Sequence, residues 1–209
     1  MRDALTPAET RELLQAVSQH IVDSVDLLTT VDQAIGDGDH GVGMRRGFAA
    51  VLEQLQGRPE TVEAAFKAAG TAIMAKAGGA AGAVFGTLFR AGGAAFAGRG
   101  GLDAEGLAGF LQLGLEAVER RGGSRPGMKT MLDALAPAAA AAVKASPEGL
   151  PATVRAAATA AEEGVEATKS MIATTGKART LGERSLGHAD PGAVSMSLIL
   201  QAMRDYITA

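Results

Sequence analysis

Apolar positions recur along nearly the whole chain at the three-and-four spacing of amphipathic helices, and no segment shows the sustained alternation of a strand. Leu13, Leu14, Val17, Ile21, Val22, Val25 and Leu28 trace the buried face of a first helix. Its start is written in Thr6-Pro7-Ala8-Glu9: an N-cap hydroxyl, proline at the first helical position and glutamate at the capping-box position. A second helix carries Met44, Phe48, Val51, Leu52 and Leu55, with Gly57 to end it. Thr61 caps a third that runs to about Ala77, and a fourth holds Val84, Phe85, Leu88 and Phe89. Asp103 caps a fifth, reaching about Arg121. A sixth begins near Thr130, where Pro137 is expected to bend or restart it. Pro151 opens a seventh to about Ile172, and Pro191 an eighth that ends near Ile207.

Glycine punctuates the intervals. Gly36, Gly38, Gly41 and Gly43 make a loop of the segment after the first helix, and Gly78 to Gly82 interrupt between the third and fourth. A further loop lies at Gly122 to Gly127, and a seventeen-residue polar loop, TTGKARTLGERSLGHAD, precedes the last helix. Eight helices with mostly short connections predict an all-α fold, an antiparallel up-and-down bundle or closed helical barrel, in one domain spanning 1–209. No sheet is expected.

Composition sharpens this picture. Of 209 residues 44 are Ala and 28 Gly, with aromatics at 3%, so helices can approach closely. A net charge of −3 with scattered Lys and Arg argues against nucleic-acid binding. The lack of cysteine rules out a disulfide framework, a thiolate nucleophile and a Cys-based zinc site. The start MRDALTPAETREL lacks the apolar core of a signal peptide. No stretch reaches the 18 or so apolar residues of a membrane span, so a cytoplasmic location is expected.

Three segments carry candidate chemistry. In Asp32-x4-Asp37-Gly38-Asp39-His40-Gly41, three carboxylates within eight residues repel one another unless cations neutralise them, and glycine lets the backbone turn so that they converge. Hard oxygen ligands favour magnesium or calcium, but an EF-hand loop would place Gly where Val42 stands and Glu where Phe48 stands. A solvated Asp-Gly turn is the plain alternative. The glycine clusters at helix starts could admit a phosphate, or could serve close packing and capping. GGSRPGMKT is no Walker loop: Met128 occupies the lysine position and no strand precedes it, which leaves Lys129 and Thr130 for phosphate or for a structural cap. In LGERSLGHADPGA, Arg184 could pair with an acid or clamp a phosphate, and His188 could orient a carboxylate or meet a ligand. Asp190 could be the N-cap before Pro191, and His20 reads as structural.

The segments Asp32 with GDGDHG (36–41), GGAAGAVFGT (78–87), PGMKTMLDAL (126–135) and LGERSLGHADPGA (181–193) resemble, in this order, the L subunits of dihydroxyacetone kinases, and the resemblance covers nearly the whole chain. It implies an eight-helix antiparallel barrel with a nucleotide at one rim. It further implies two Mg2+ on Asp32, Asp37 and Asp39 that bridge the phosphates of ADP or ATP. His40, Gly41, Val42, Gly43, Ala80, Ala81, Gly122, Met131, Lys177, Asp190, Pro191 and Gly192 fall at nucleotide-contacting positions of that family. A separate K subunit would hold dihydroxyacetone through a histidine, and in phosphotransferase-linked members a phosphohistidine protein of the M type recharges a retained ADP. Phosphoryl transfer needs alignment and neutralised oxygens more than a protein nucleophile, which suits a chain without cysteine or triad.

Departures from the family pattern are Ala81 for Ser, Lys177 for Arg, Gly43 for Asn and Met128 for Asp; they bear on nucleotide affinity and on the choice between retained ADP and exchanged ATP. The 209 residues leave no room for a K-type domain, so activity is expected only with that partner. Two other readings compete: a related kinase subunit serving another acceptor, and a regulatory protein that senses ADP without transferring phosphate. The oligomeric state stays open, with a homodimer among the options.

Overall fold

Side-chain caps set four of the helix starts among the described residues. The computed structural model describes residues 3–209; Met1 and Arg2, the first residues of the expected 1–209 domain, lie outside the described residues. Among the described residues are nine α-helices: α1 (Pro7–Asp23), α2 (Val25–Ile35), α3 (His40–Leu55), α4 (Val62–Lys76), α5 (Gly79–Gly92), α6 (Ala104–Gly122), α7 (Leu132–Ala145), α8 (Leu150–Thr168) and α9 (Pro191–Thr208). At α1 the Thr6 hydroxyl accepts the Glu9 N–H at 3.3 Å while the Glu9 carboxylate accepts the Thr6 N–H at 2.9 Å, a complete capping box. Thr61, Asp103 and Asp190 accept from Ala64, Gly106 and Ala193 in the same way, at 3.1, 2.7 and 2.7 Å.

The expected first helix is two. Ser24 turns its hydroxyl back to the His20 carbonyl at 2.7 Å and divides its own N–H between the carbonyls of His20 and Ile21. This back-bonding bends the chain without any glycine or proline to announce it. Three further expectations are corrected. The loop at 31–43 shrinks to Gly36–Asp39, because Val31–Ile35 finish α2 and His40 already opens α3. The glycine run at 78–82 is mostly the first turn of α5, with Gly78 (φ 75°) and Gly79 (φ 55°) at the break. The polar loop before α9 folds in part as 3-10 turns over Lys177–Ser185, kinked at Gly182. One sheet also exists where none was expected: Ala4–Leu5 (β1) pairs antiparallel with Leu102–Asp103 (β2), strands too short to alternate.

Setting α2 aside, eight helices form a ring. Each of α1, α3, α4, α5, α6, α7 and α8 packs on the next, and α9 packs back on α1. Neighbours run antiparallel: Gly82 and Gly86 of α5 lie against Ala77, the C-cap of α4, and Met74 within it, and the Tyr206 hydroxyl near the end of α9 donates to Glu12 near the start of α1 at 2.9 Å. The interior is filled, in part by all six phenylalanines, with Phe66 centred 4.8 Å from Phe96 and 4.7 Å from Phe110. Small residues permit the close ring contacts; a Cβ on Gly70 would lie 2.4 Å from the Arg90 nitrogen across the α4–α5 contact.

α7 continues through Pro137 rather than restarting there. Proline cannot donate to the carbonyl four residues back, so the Asp133 carbonyl lacks its helical partner, and Gly164 of α8 presses against that same carbonyl. Among the described residues no helix is long and apolar enough to cross a membrane. α2 stands outside the ring at one rim, touching α3, α9 and the Lys177–Ser185 turns. That placement brings the acidic segment to the rim.

Candidate functional site

α2 buries Leu28, Asp32 and Ile35 on one face, so a carboxylate sits in register with core residues. Gly36 makes room for it, since a Cβ there would overlap the Asp32 carboxylate at 2.2 Å. Gly38, at φ 77°, turns the short link so that Asp37 and Asp39 face back toward α2. One carboxylate oxygen from each of Asp32, Asp37 and Asp39 then lies within 4.8 Å of the others, Asp32 buried and the other two exposed. Asp32 also accepts the His40 N–H at 3.2 Å, which fixes the first turn of α3 against it.

A cation already answers this charge. The Lys177 ammonium, brought by the 3-10 turns, donates to Asp37 and, at 3.1 Å, to Asp39. Its hydrogen bond holds the Asp37 carboxyl below the usual carboxylate range, and the two acids push the Lys177 ammonium above its ordinary value. The donor set is all hard oxygen, and a side-chain ammonium lodges among it where positive charge is needed; the three acids therefore fit a divalent cation such as Mg2+.

Beside the acids opens a cavity of about 420 Å³. Its wall is built largely from helix starts: Asp39, His40 and Gly43 of α3, Gly78 to Ala81 at α5, and Asp190 to Gly192 at α9. Neither α3 nor α5 has a side-chain cap from its own N-cap residue; at α3 the His40 N–H is taken by Asp32, and the other first-turn N–H groups and the positive ends of both dipoles remain available to an anion. A closed side is supplied by Val84, Phe85, Val118 and Leu132, and the Thr175–Ala178 segment completes the rim. Largely apolar walls with a few directed polar groups suit a nucleotide better than a free phosphate.

Burial perturbs His40 and Asp190 on this wall. His40 is held below its ordinary value, chiefly by loss of water, and its Nε2 pairs with the Ser195 hydroxyl at 2.8 Å. The Asp190 carboxyl is pushed up to about 7, chiefly by burial.

Of the residues singled out from sequence, Asp32, Asp39, His40, Gly43, Ala80, Ala81, Gly122, Met131, Lys177, Asp190, Pro191 and Gly192 all line the cavity. Asp37 stands in the acidic cluster without lining it. Gly41 does not face the cavity: a Cβ there would lie 2.4 Å from the Val25 carbonyl, so it serves the α2–α3 contact, and Val42 points to solvent. Glu183, Arg184 and His188 are exposed and off the wall. Thr130 also lines the cavity, and its hydroxyl accepts the Leu132 N–H at 3.2 Å, while Asp190 is the N-cap of α9. The sequence did not reveal Arg46, Ser195 or the buried setting of Lys129. Only the i, i+4 spacing from Pro191 to Ser195 on the helix carrying Asp190 hinted at the second.

Comparison with known families matches residues 34–205 to the DAK2 domain. The chain belongs to the DAK2 domain family. Among curated relatives, the PEP-dependent dihydroxyacetone kinase 1, ADP-binding subunit DhaL, of Listeria innocua is 39% identical over 191 residues, 91% of each chain. The corresponding Escherichia coli subunit is 37% identical over 181 residues, covering 85% of this chain and 86% of its own. L-Erythrulose 1-kinase of Mycolicibacterium smegmatis is 35% identical over 94% of this DAK2-domain chain, which spans only 35% of that longer protein. Among solved structures, the dihydroxyacetone kinase from C. freundii in complex with AMP-PNP and Mg2+ superposes with a TM-score of 0.73 at 25% identity. The match takes in 98% of the DAK2-domain chain and 35% of that kinase.

Proposed function

We propose that this chain is the nucleotide-binding, phosphoryl-transferring subunit of a dihydroxyacetone-type kinase. It takes ADP or ATP with Mg2+ and passes phosphate to dihydroxyacetone held by a separate K subunit. The observation that carries this reading is the meeting of three carboxylates, within 4.8 Å, with a cavity walled by helix starts, of which those of α3 and α5 lack a side-chain cap. Acids and amides then share the work. Asp32, Asp37 and Asp39 would hold two Mg2+, which when bound neutralise phosphate oxygens. The starts of α3 and α5 would receive the remaining phosphate charge, and Lys177 would leave its acids for the phosphates. Apolar wall residues such as Phe85 and Leu132 would enclose the base end and exclude water.

The family relatives named as ADP-binding subunits support a partner that supplies the acceptor, and their PEP-dependent names support a phosphohistidine donor of the M type. The expected test is calorimetry: ADP binds in the presence of Mg2+ and not in excess chelator, and equal binding in both would refute the metal role. Mixing the chain with a K subunit and either ATP or a phosphoprotein donor then shows which donor is used. A second acceptor class, four-carbon ketoses, is favoured by the erythrulose kinases among the relatives. Comparing dihydroxyacetone with erythrulose in the same assay separates the two.

A further inference from the structure

One cation plays no part in the site as described, although it belongs to its wall. Lys129 is 2% exposed and lines the cavity. Its backbone adopts φ 60°, a left-handed conformation that is unfavourable for a residue with a Cβ. Such a strained residue persists only where its surroundings over-determine it. Here they do so through the side chain: Nζ donates to the Thr168 carbonyl at 2.6 Å and to the His188 carbonyl at 2.6 Å.

Those two carbonyls belong to separate pieces of the wall. Thr168 ends α8, and its hydroxyl in turn accepts the Asp190 N–H at 3.0 Å. His188 lies in the strand of loop that delivers Asp190, Pro191 and Gly192 to the start of α9. A carbonyl at the C-terminal end of a helix carries partial negative charge, so a cation is welcome there. The lysine's own backbone is pinned from the other side. Asp133 accepts the N–H groups of Gly127 and, at 2.7 Å, Thr130, so the segment bearing Lys129 cannot drift from α7. Asp133 and Asp190 are the acids that act on the ammonium, while burial depresses its basicity.

We propose that Lys129 is a positioning residue for the nucleotide site: its buried ammonium staples the α9 start and the end of α8 to the α7 start, fixing the Asp190–Gly192 wall. This rests on the reading of the cavity as the nucleotide site. The strain in the Lys129 backbone is then the conformational cost of aiming a long side chain into the seam between two helices. Without the staple the far end of the 170–190 segment, which also bears Lys177, is tied to the end of α8 by the Asp190 N–H on the Thr168 hydroxyl and by the Gly187 N–H on the Lys169 carbonyl at 2.7 Å.

The test compares the wild-type chain with Lys129→Met, Lys129→Gly and a core control, Leu13→Ala, at a temperature where all four are folded by circular dichroism. Leu13 lies in α1 away from the cavity. Amide exchange in the absence of nucleotide is expected to rise at 186–193 in both Lys129 variants and not in the control. Mg-ADP affinity is expected to fall at least tenfold in both, with the control within twofold of wild type. Lys129→Gly relieves the backbone strain while deleting the ammonium, so it decides the matter if Lys129→Met fails to fold. Unchanged exchange at 186–193, or Mg-ADP affinity within twofold of wild type in Lys129→Gly, overturns the proposal. Failure of the wild-type chain to bind Mg-ADP instead overturns the reading of the cavity; the exchange pattern then still shows whether the staple exists.

Discussion

Lys177 Nζ stands 3.1 Å from Asp39 Oδ2, across 138 residues of sequence, and also donates to Asp37. An ammonium in this position is both a counter-charge for the acids and a competitor for any metal ion they would hold. The pair is exposed, 59% at the lysine and 73% at the aspartate, so screening keeps the competition weak. Lys177→Met is expected to tighten binding of Mn2+ alone by no more than about fivefold, the scale of an exposed pair. The same change is expected to weaken Mg-ADP, because the phosphates lose a cation. Titration of Mn2+ with and without ADP shows the crossed effect; weaker Mn2+ binding without nucleotide would remove Lys177 as a competitor.

Asp32 differs from its two partners in being 8% exposed and in holding the His40 N–H. Asparagine keeps an oxygen for that N–H and removes the charge. Asp32→Asn is expected to reduce Mg-dependent ADP affinity by about tenfold or more; groups merely behind a metal ligand are worth about 10- to 100-fold. The melting temperature of the free chain should hold or rise, since one of three crowded negative charges is gone. Affinity equal to wild type, measured by calorimetry, would exclude Asp32 as a ligand.

The direction of the Asp190 shift gives a pH dependence. With its carboxyl raised from 3.8 to about 7, the folded chain keeps a proton that the unfolded chain releases. The stability linked to this group is therefore fully present below about 3.8 and is lost as pH rises through about 7. Asp190→Asn still accepts the Ala193 N–H as N-cap and has no proton to lose. Urea midpoints measured from pH 4 to pH 8 should fall less steeply in the variant than in the wild type. Parallel curves would show that Asp190 titrates as it does in the unfolded chain.

Capping residues made the helices legible. Thr6, Thr61, Asp103 and Asp190 each occupy the predicted N-cap and bond as predicted, because an N-cap needs only a short acceptor side chain next to its own helix. The break at Ser24 could not be read, since a serine that bends a helix is the same residue as one that faces solvent. Glycine misled in the other direction. At Gly36–Asp39 it marks a turn, while at Gly41 and Gly82 it serves a helix contact, and only the neighbouring helix tells the two apart. The acidic cluster was visible because its members are seven residues apart at most, whereas Lys129 was not: its partners at Thr168 and His188 are 39 and 59 residues away.

The seam between α7 and α8 offers a test of the fold that substitutes no residue lining the cavity. Pro137 deprives the Asp133 carbonyl of its helical donor, and Gly164 lets α8 lie directly on that carbonyl; a Cβ there would come within 2.3 Å of it. By propensity alone, Gly164→Ala in the middle of α8 would gain about 1 kcal/mol. The contact reverses the sign, because the methyl group must push the two backbones apart or displace Asp133, whose carboxylate orders the Gly127–Thr130 turn. Overpacking of this kind costs about 1–3 kcal/mol, so a net loss of roughly 1–2 kcal/mol is expected in urea denaturation. A variant as stable as wild type, or more stable, would mean that α7 and α8 do not meet this closely.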